Sequence, residues 1–186
     1  MKNLLFLTSN KHKVAEAKKI LNKFGINFIS KNSKGFEIQS DSLEEVARIC
    51  ARNAYKHFKK PLFVEDSGLF INALKGFPGI YSSYVLKTVG CNGILNLLGQ
   101  ERHRSAKYIS TVAFVNSKGQ LKIFKGEVKG RISRSIEEGE GFGYDPIFIP
   151  EGHSKPFSKI INIKEKISHR VIALKKFAKY LSKKGV

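Results

Sequence analysis

Tryptophan is absent from this chain, methionine occurs once and cysteine twice among 186 residues. Cys50 and Cys91 are far apart and neither has a CxxC partner. That spacing offers no thiolate zinc site and no disulfide framework, and two free thiols suit a reducing, cytoplasmic setting. His12, His57, His103, His153 and His169 show no metal-ligand spacing either. The apolar run at residues 4–7 is too short for a signal-peptide core, and no stretch could span a bilayer. A soluble, intracellular protein without membrane attachment is expected.

Acidic residues are few: 15 Asp and Glu stand against 34 Lys and Arg, a net charge of +19. Such a field favours anionic partners. The basic residues are nonetheless scattered, with modest clusters at 56–60, 102–107 and 175–184, and no Arg/Gly or Arg/aromatic repeat accompanies them. The charge therefore reads as a solvated surface that draws anionic substrate, and no nucleic-acid partner is expected. A nucleic-acid-binding protein remains the rival from another functional class. Salt-sensitive binding that survives Asp66→Ala would mark it.

What is present is an ordinary globular composition, 41% hydrophobic and 26% charged, with 14 Phe to fill a core. One domain over residues 1–186 accommodates it. Residues 4–7 predict a strand buried on both faces. Val14, Ala17, Leu21 and Phe24 follow at helical spacing until Gly25. Residues 27–29 predict a short strand. Ser42 caps a helix to about Phe58, with Glu44 and Glu45 in its first turn. A strand at 62–64 ends in Glu65-Asp66-Ser67-Gly68, where a turn is expected. A short helix at 94–98, strands at 106–115 and 121–128 around Asn116-Ser117-Lys118-Gly119, and a final helix from about Ser168 complete the pattern. There is no internal repeat and no linker, so a single α/β unit with an antiparallel second half follows.

Four segments carry chemistry. Thr8-Ser9-Asn10 joins a strand to a helix whose first turn is Lys11-His12-Lys13, a poor choice against the helix dipole unless an anion is bound there. The glycines of a GxxxxGK[ST] loop are missing, and a solvated turn capped by Ser9 or Asn10 is the plain structural alternative. Glu65 and Asp66 converge on one ligand only if the chain turns, since neighbours on a strand point apart. Carboxylates beside phosphate suit a hard divalent cation, and Glu37 is a third candidate. Gly141-Phe142-Gly143-Tyr144-Asp145 offers close backbone approach, stacking rings and a carboxylate acceptor, or simply a turn with core aromatics. Ser168-His169-Arg170 opens the last helix.

In this order TSNxxK at 8–13, EDSG at 65–68, GFPGIYS at 76–82, GFGYDPIF at 141–148 and SHR at 168–170 resemble the inosine triphosphate pyrophosphatase family over nearly the whole chain. The resemblance implies Mg²⁺-dependent hydrolysis of ITP, dITP and XTP to the monophosphate and pyrophosphate. It also implies a homodimer and a two-lobed α/β fold, in which a long mixed sheet is flanked by helices and a central cleft takes the substrate. The implied proton acceptor is Asp66, with Glu65 as helper and Lys13 balancing phosphate charge, and the implied metal ligands are Glu37 and Asp66. The triphosphate grip falls on Thr8, Ser9, Asn10, Lys11, His12 and Lys13, with Ser67 and Lys87. The base site falls on Phe142, Gly143, Tyr144, Asp145, Lys164, His169 and Arg170. Hypoxanthine and xanthine offer an O6 acceptor and an N1–H donor, so a donor such as Arg170 and an acceptor such as Asp145 would reject adenine. A related class acting on pyrimidine or methylated nucleotides is the nearer rival, against which the SHR and GFGYD blocks speak.

Overall fold

The computed structural model describes residues 4–32, 40 and 42–183; Glu37 lies outside them. Six strands form one mixed sheet in the order β2-β1-β3-β4-β5-β6: β1 (Leu5–Leu7), β2 (Ile29–Lys31), β3 (Leu62–Ile71), β4 (Ser105–Val115), β5 (Leu121–Ile132) and β6 (Phe148–Pro150). β1 pairs in parallel with β2 and β3, and β5 pairs antiparallel with β6. The helices are α1 (Lys11–Leu21), α2 (Leu43–Phe58), α3 (Ser82–Thr88), α4 (Gly90–Leu98), α5 (Ile161–Ile167) and α6 (His169–Lys183). Among the described residues no helix is long and apolar enough to cross a membrane. Two compact units divide the chain: one holds residues 1–66, 110–126 and 170–186, the other 67–109 and 127–169.

In the first unit, strand alternation sorts side chains onto two faces. Phe6, Phe63, Val112 and Phe114 pack with Ala17 and Leu21 of α1 and with Leu174 and Phe177 of α6. Leu5, Leu7, Leu62, Val64, Ala113 and Val115 pack instead against Ala47 and Ala51 of α2. A Phe6–Phe63 stack, with centroids 4.3 Å apart, fixes the centre of the α1/α6 face. The second unit is held by aromatic rings: Tyr108, Phe148 and Phe157 meet edge-on or tilted, and the Tyr144 hydroxyl donates to the Ser82 carbonyl at 2.9 Å.

Several elements depart from expectation. β3 does not end at Glu65 but runs on to Ile71. The polar Ser67-Gly68 step is a point of close approach rather than a turn: a Cβ on Gly68 would sit 2.3 Å from the Gly79 carbonyl oxygen. Ser82 completes the brace, accepting from Leu69 N–H at 2.8 Å and donating to Gly79 O at 2.6 Å. β5 continues past Val128 because Gly130 pairs with Pro150 of β6. β2 lies two residues beyond the expected 27–29, and α3 and α5 had no distinct periodic signal in segments of only seven residues.

Candidate active site

At the start of α1, Asn10 is the N-cap, and its Oδ1 accepts from the His12 and Lys13 amides at 2.9 and 3.3 Å. Thr8 Oγ1 accepts from the Asn10 amide at 3.1 Å, which ties the strand end to the cap. Thr8, Ser9 and Lys11 line a pocket of about 240 Å³ with Val14, Ser30 and Asn32. The first turn carries no acid, so Lys11 and His12 lie exposed at the positive end of the helix. A negative ligand there would relieve an arrangement that the helix dipole disfavours.

Lys13 turns away from its neighbours. Its Nζ donates to the Glu65 carbonyl at 2.9 Å and pairs with the Glu65 carboxylate at 3.1 Å. The Glu65 side chain is 0% exposed. Ser110 Oγ donates to Glu65 Oε1 at 2.6 Å, and Arg170 Nε lies 3.2 Å from Glu65 Oε2. Arg170 Nη1 also donates to Glu16 at 2.6 Å. Burial alone would lower the Arg170 pKa, but Glu65 and Glu16 outweigh it and push it up. A buried acid that meets two cations and a hydroxyl has its desolvation offset by good geometry, and removal of any member would strand a charge.

The turn on which convergence of Glu65 and Asp66 depended is not made, since β3 runs on through both. With β3 unbroken, Glu65 lies on the Phe63 face, beside α1 and α6, whereas Asp66 shares the Leu62 and Val64 face beside α2. Burial and then the Asp66 charge raise the pKa of Cys50 on α2, which places that carboxylate's field on the α2 side. Asp66 is half-buried and is a hard oxygen donor, so it fits a magnesium ligand, which needs one or two carboxylates beside phosphate oxygens. Glu65 does not fit, because Lys13, Ser110 and Arg170 occupy its oxygens. Among the described residues no group of three or more His, Cys, Asp or Glu is placed to hold a metal, and Glu37 is not among them.

The second unit gathers the glycine-rich loop. Asp145, 2% exposed, accepts from the Phe142 amide at 2.7 Å and from Lys164 Nζ at 2.5 Å, both through Oδ2. The Lys164 ammonium lies 4.4 Å from the centre of the Phe142 ring, a cation–π contact. Gly141 has φ +103°, and a Cβ there would stand 2.4 Å from Asp145 Oδ2. The loop and its carboxylate are thus shaped around each other. His169 stacks flat on Tyr108, centroids 4.4 Å apart. Burial, then the Asp145 charge, holds the Tyr108 pKa well above the usual phenol range. Lys87 is exposed on α3, one residue after Leu86, which packs near Gly143. Arg170, expected with the base site, belongs to the first unit, where carboxylates take its Nε and Nη1.

The Ham1 family model matches residues 4–180. The chain belongs to the Ham1 family. It is 45% identical over 183 residues to the dITP/XTP pyrophosphatase of Ignicoccus hospitalis, covering 97% of each chain. With the dITP/XTP pyrophosphatase of Methanopyrus kandleri it shares 48% identity over 178 residues, 95% of each. The Ham1 protein of Staphylococcus aureus superposes with a TM-score of 0.85 at 27% identity, covering 98% of this chain and 99% of that one. A HAM1 protein from Coxiella burnetii gives 0.86 at 28% identity, covering 97% and 98%. The α/β fold expected from the motifs is therefore the Ham1 fold.

Within this Ham1 chain, Glu16, Tyr108 and Ser110 were not anticipated. Ser110 carried a faint signal, a polar residue inside the apolar run of β4, where it is fully buried. Glu16 carried none, since a Glu in a Lys-rich helix reads as surface.

Proposed function

We propose that the chain hydrolyses non-standard purine nucleoside triphosphates (dITP, XTP and ITP) to the monophosphate and pyrophosphate in a magnesium-dependent reaction. The observation that carries this reading is full-length similarity, at 45–48% identity, to dITP/XTP pyrophosphatases. The geometry of each unit supplies residues for the matching chemistry.

In the first unit the Asn10-capped turn, with Thr8, Ser9, Lys11 and His12, holds phosphate oxygens, and Lys13 balances their charge from a position set by Glu65. Asp66 takes the proton of the attacking water; attack at the α-phosphorus makes pyrophosphate the leaving group. Glu65 acts through Lys13 and Arg170 rather than on the water. Magnesium would be held by Asp66 and Glu37 and would supply charge neutralisation at the phosphates. Catalysis of this kind is mainly positioning and charge stabilisation.

In the second unit, Phe142 offers a ring to the purine, and the Asp145–Lys164 pair offers an acceptor and a donor fixed by each other. A hypoxanthine or xanthine edge matches that polarity, whereas adenine reverses it and leaves buried groups unpaired. His169, held flat by Tyr108, borders the same chemistry, and Ser67 and Lys87 complete the substrate set. A homodimer is part of the proposal. It is supported by exposed Phe77, Tyr81, Tyr84 and Val89, large apolar side chains crowded into one short segment. A cytoplasmic setting is supported by the free thiols of Cys50 and Cys91.

The test is hydrolysis of ITP, XTP, GTP and ATP with and without Mg²⁺, assaying pyrophosphate and orthophosphate separately. Pyrophosphate from ITP and XTP with little from ATP is expected. Orthophosphate release, or equal turnover of ATP, would overturn the proposal.

A further inference from the structure

The second unit carries a cationic pocket that the proposed hydrolysis does not use. Residues 102–105 at the start of β4, residues 131–135 at the end of β5, Glu137 and Ile149 line an open pocket of about 570 Å³. Arg102, Arg104, Arg131 and Arg134 all line it, with His103, and among the described residues Glu137 is the single carboxylate in the wall. Among the described residues none of these four arginines forms an ion pair. Glu137 in the wall and Glu101, whose charge acts on Arg104, pair with none of them.

Arg104 makes this a built site rather than a loose basic patch. It is only 7% exposed. Its Nε donates to Ile132 O at 3.2 Å and its Nη1 to Gly99 O at 3.2 Å, while the Ile132 amide returns a bond to Arg104 O at 2.9 Å. The guanidinium is thus fixed between the end of β5 and the end of α4, and no described residue accepts from its Nη2. Burial and then the Arg134 charge hold its pKa below the usual arginine value. The Glu101 charge opposes this only in part, and two cations that feel each other favour an anion that joins them.

We propose that this pocket binds a compact anion carrying two or more phosphate groups, either free pyrophosphate or the phosphate tail of a nucleotide. Arginine forks match phosphate oxygens in pairs, and four of them exceed what one singly charged anion needs. Among the described residues no Phe or Tyr lines the pocket, so they offer no stacking platform for a base. The volume is that of a small-molecule site. A neighbouring pocket shares Ser105 and Arg131 and adds Lys107 and Lys129, but Glu127 and Glu151 also line it, and Lys107 pairs with Glu127 at 3.6 Å. The basic surface is interrupted there, which favours a compact ligand over a nucleic-acid strand. The inference stands apart from the proposed hydrolysis, because it rests on the arginine pocket alone.

Calorimetric titration of the full chain without divalent metal tests it, using pyrophosphate, ADP, orthophosphate and a dT12 oligonucleotide. Pyrophosphate or ADP is expected to bind, with orthophosphate at least tenfold weaker. The R131Q/R134Q variant is expected to lose about tenfold or more in affinity while its turnover of ITP and its Tm stay unchanged. Both arginines are exposed, and the separate Arg102→Gln variant gives the same readout if the double variant folds poorly. Binding of pyrophosphate alone assigns the free anion, and comparable binding of ADP assigns a nucleotide tail. Affinity unchanged in both variants, orthophosphate as tight as pyrophosphate, or tighter binding of the oligonucleotide would each overturn the proposal.

Discussion

Two buried carboxylates anchor the two units in different ways. Glu65 in the first is enclosed by Lys13, Ser110 and Arg170, and Glu16 shares the arginine. Asp145 in the second accepts from the Lys164 ammonium and from the Phe142 amide, and that ammonium also lies over an aromatic ring. The first cluster joins β3, β4, α1 and α6, and it reads as a staple whose charges are matched internally. The second joins a glycine-rich loop to α5, and recognition of the purine edge is the role proposed for it.

That contrast can be broken most sharply beside Glu65 itself. Asp66→Asn is expected to lower turnover of ITP by about 10²- to 10⁴-fold, the usual range for a lost proton acceptor, with the unfolding midpoint little changed. Normal turnover would remove Asp66 from the mechanism. Glu65→Gln is expected to do the reverse in kind, costing about 3–5 kcal/mol of stability in urea unfolding, because Lys13 and Arg170 lose their common counter-charge. A loss below about 1 kcal/mol would mean that the staple is not what holds α1 and α6 to β3.

Smaller effects sharpen the second half of the comparison. Asp145→Asn keeps an acceptor for the Phe142 amide but weakens the hold on Lys164, for about 1.5–3 kcal/mol. Its telling readout is the ratio of ITP to ATP turnover, which should fall; an unchanged ratio would sink the recognition role. Asn10→Ala removes the cap of α1 and should cost about 1 kcal/mol, together with a raised KM for triphosphate if the turn holds phosphate. An unchanged KM would leave the cap purely structural.

Alkaline pH supplies the mildest test. Burial, with Glu138 and Asp145, pushes the Cys91 thiol up to about 11, and burial raises the Tyr144 phenol as well. An acid whose folded pKa is raised ionises first in the unfolded chain. Its contribution is therefore complete below pH 9 and is lost as pH climbs from 9 through 11. Tm should fall over that window, and hydrogen exchange should rise first in the second unit. Cys91→Ala should flatten the dependence; an identical slope would exclude the thiol as a cause.

Much of the first unit was legible because its signals are local. Asn10 was one of two caps offered for α1 and is the one used, and Ser42 starts α2 as read, accepting from the Glu45 amide. The Asn116–Gly119 loop closes with Asn116 N–H to Gln120 O at 3.1 Å, as its composition indicated. β1 is buried throughout, as its unbroken apolar run indicated, and the apolar face of α6 joins the core. Short hydrogen bonds within a few residues, and one-sided burial, are written into neighbouring positions.

The tertiary structure decided what depends on residues far apart in the chain. Ser67-Gly68 looks like a turn in isolation, yet it is strand because the Gly79 carbonyl occupies the space beside Gly68. Glu65 and Asp66 are adjacent in sequence, yet the unbroken strand sends one to Lys13, Ser110 and Arg170 and the other toward Cys50. Arg102, Arg104, Arg131 and Arg134 were scattered basic residues until β4 and β5 brought them round one pocket. Sequence alone determined the family and the elements with strong local signals, such as β1, α1, α2, β4 and α6, because local hydrogen bonding and apolar periodicity need only neighbours. Which charges neutralise one another was left to the fold, because Coulomb pairing depends on distances that only the packed strands and helices set.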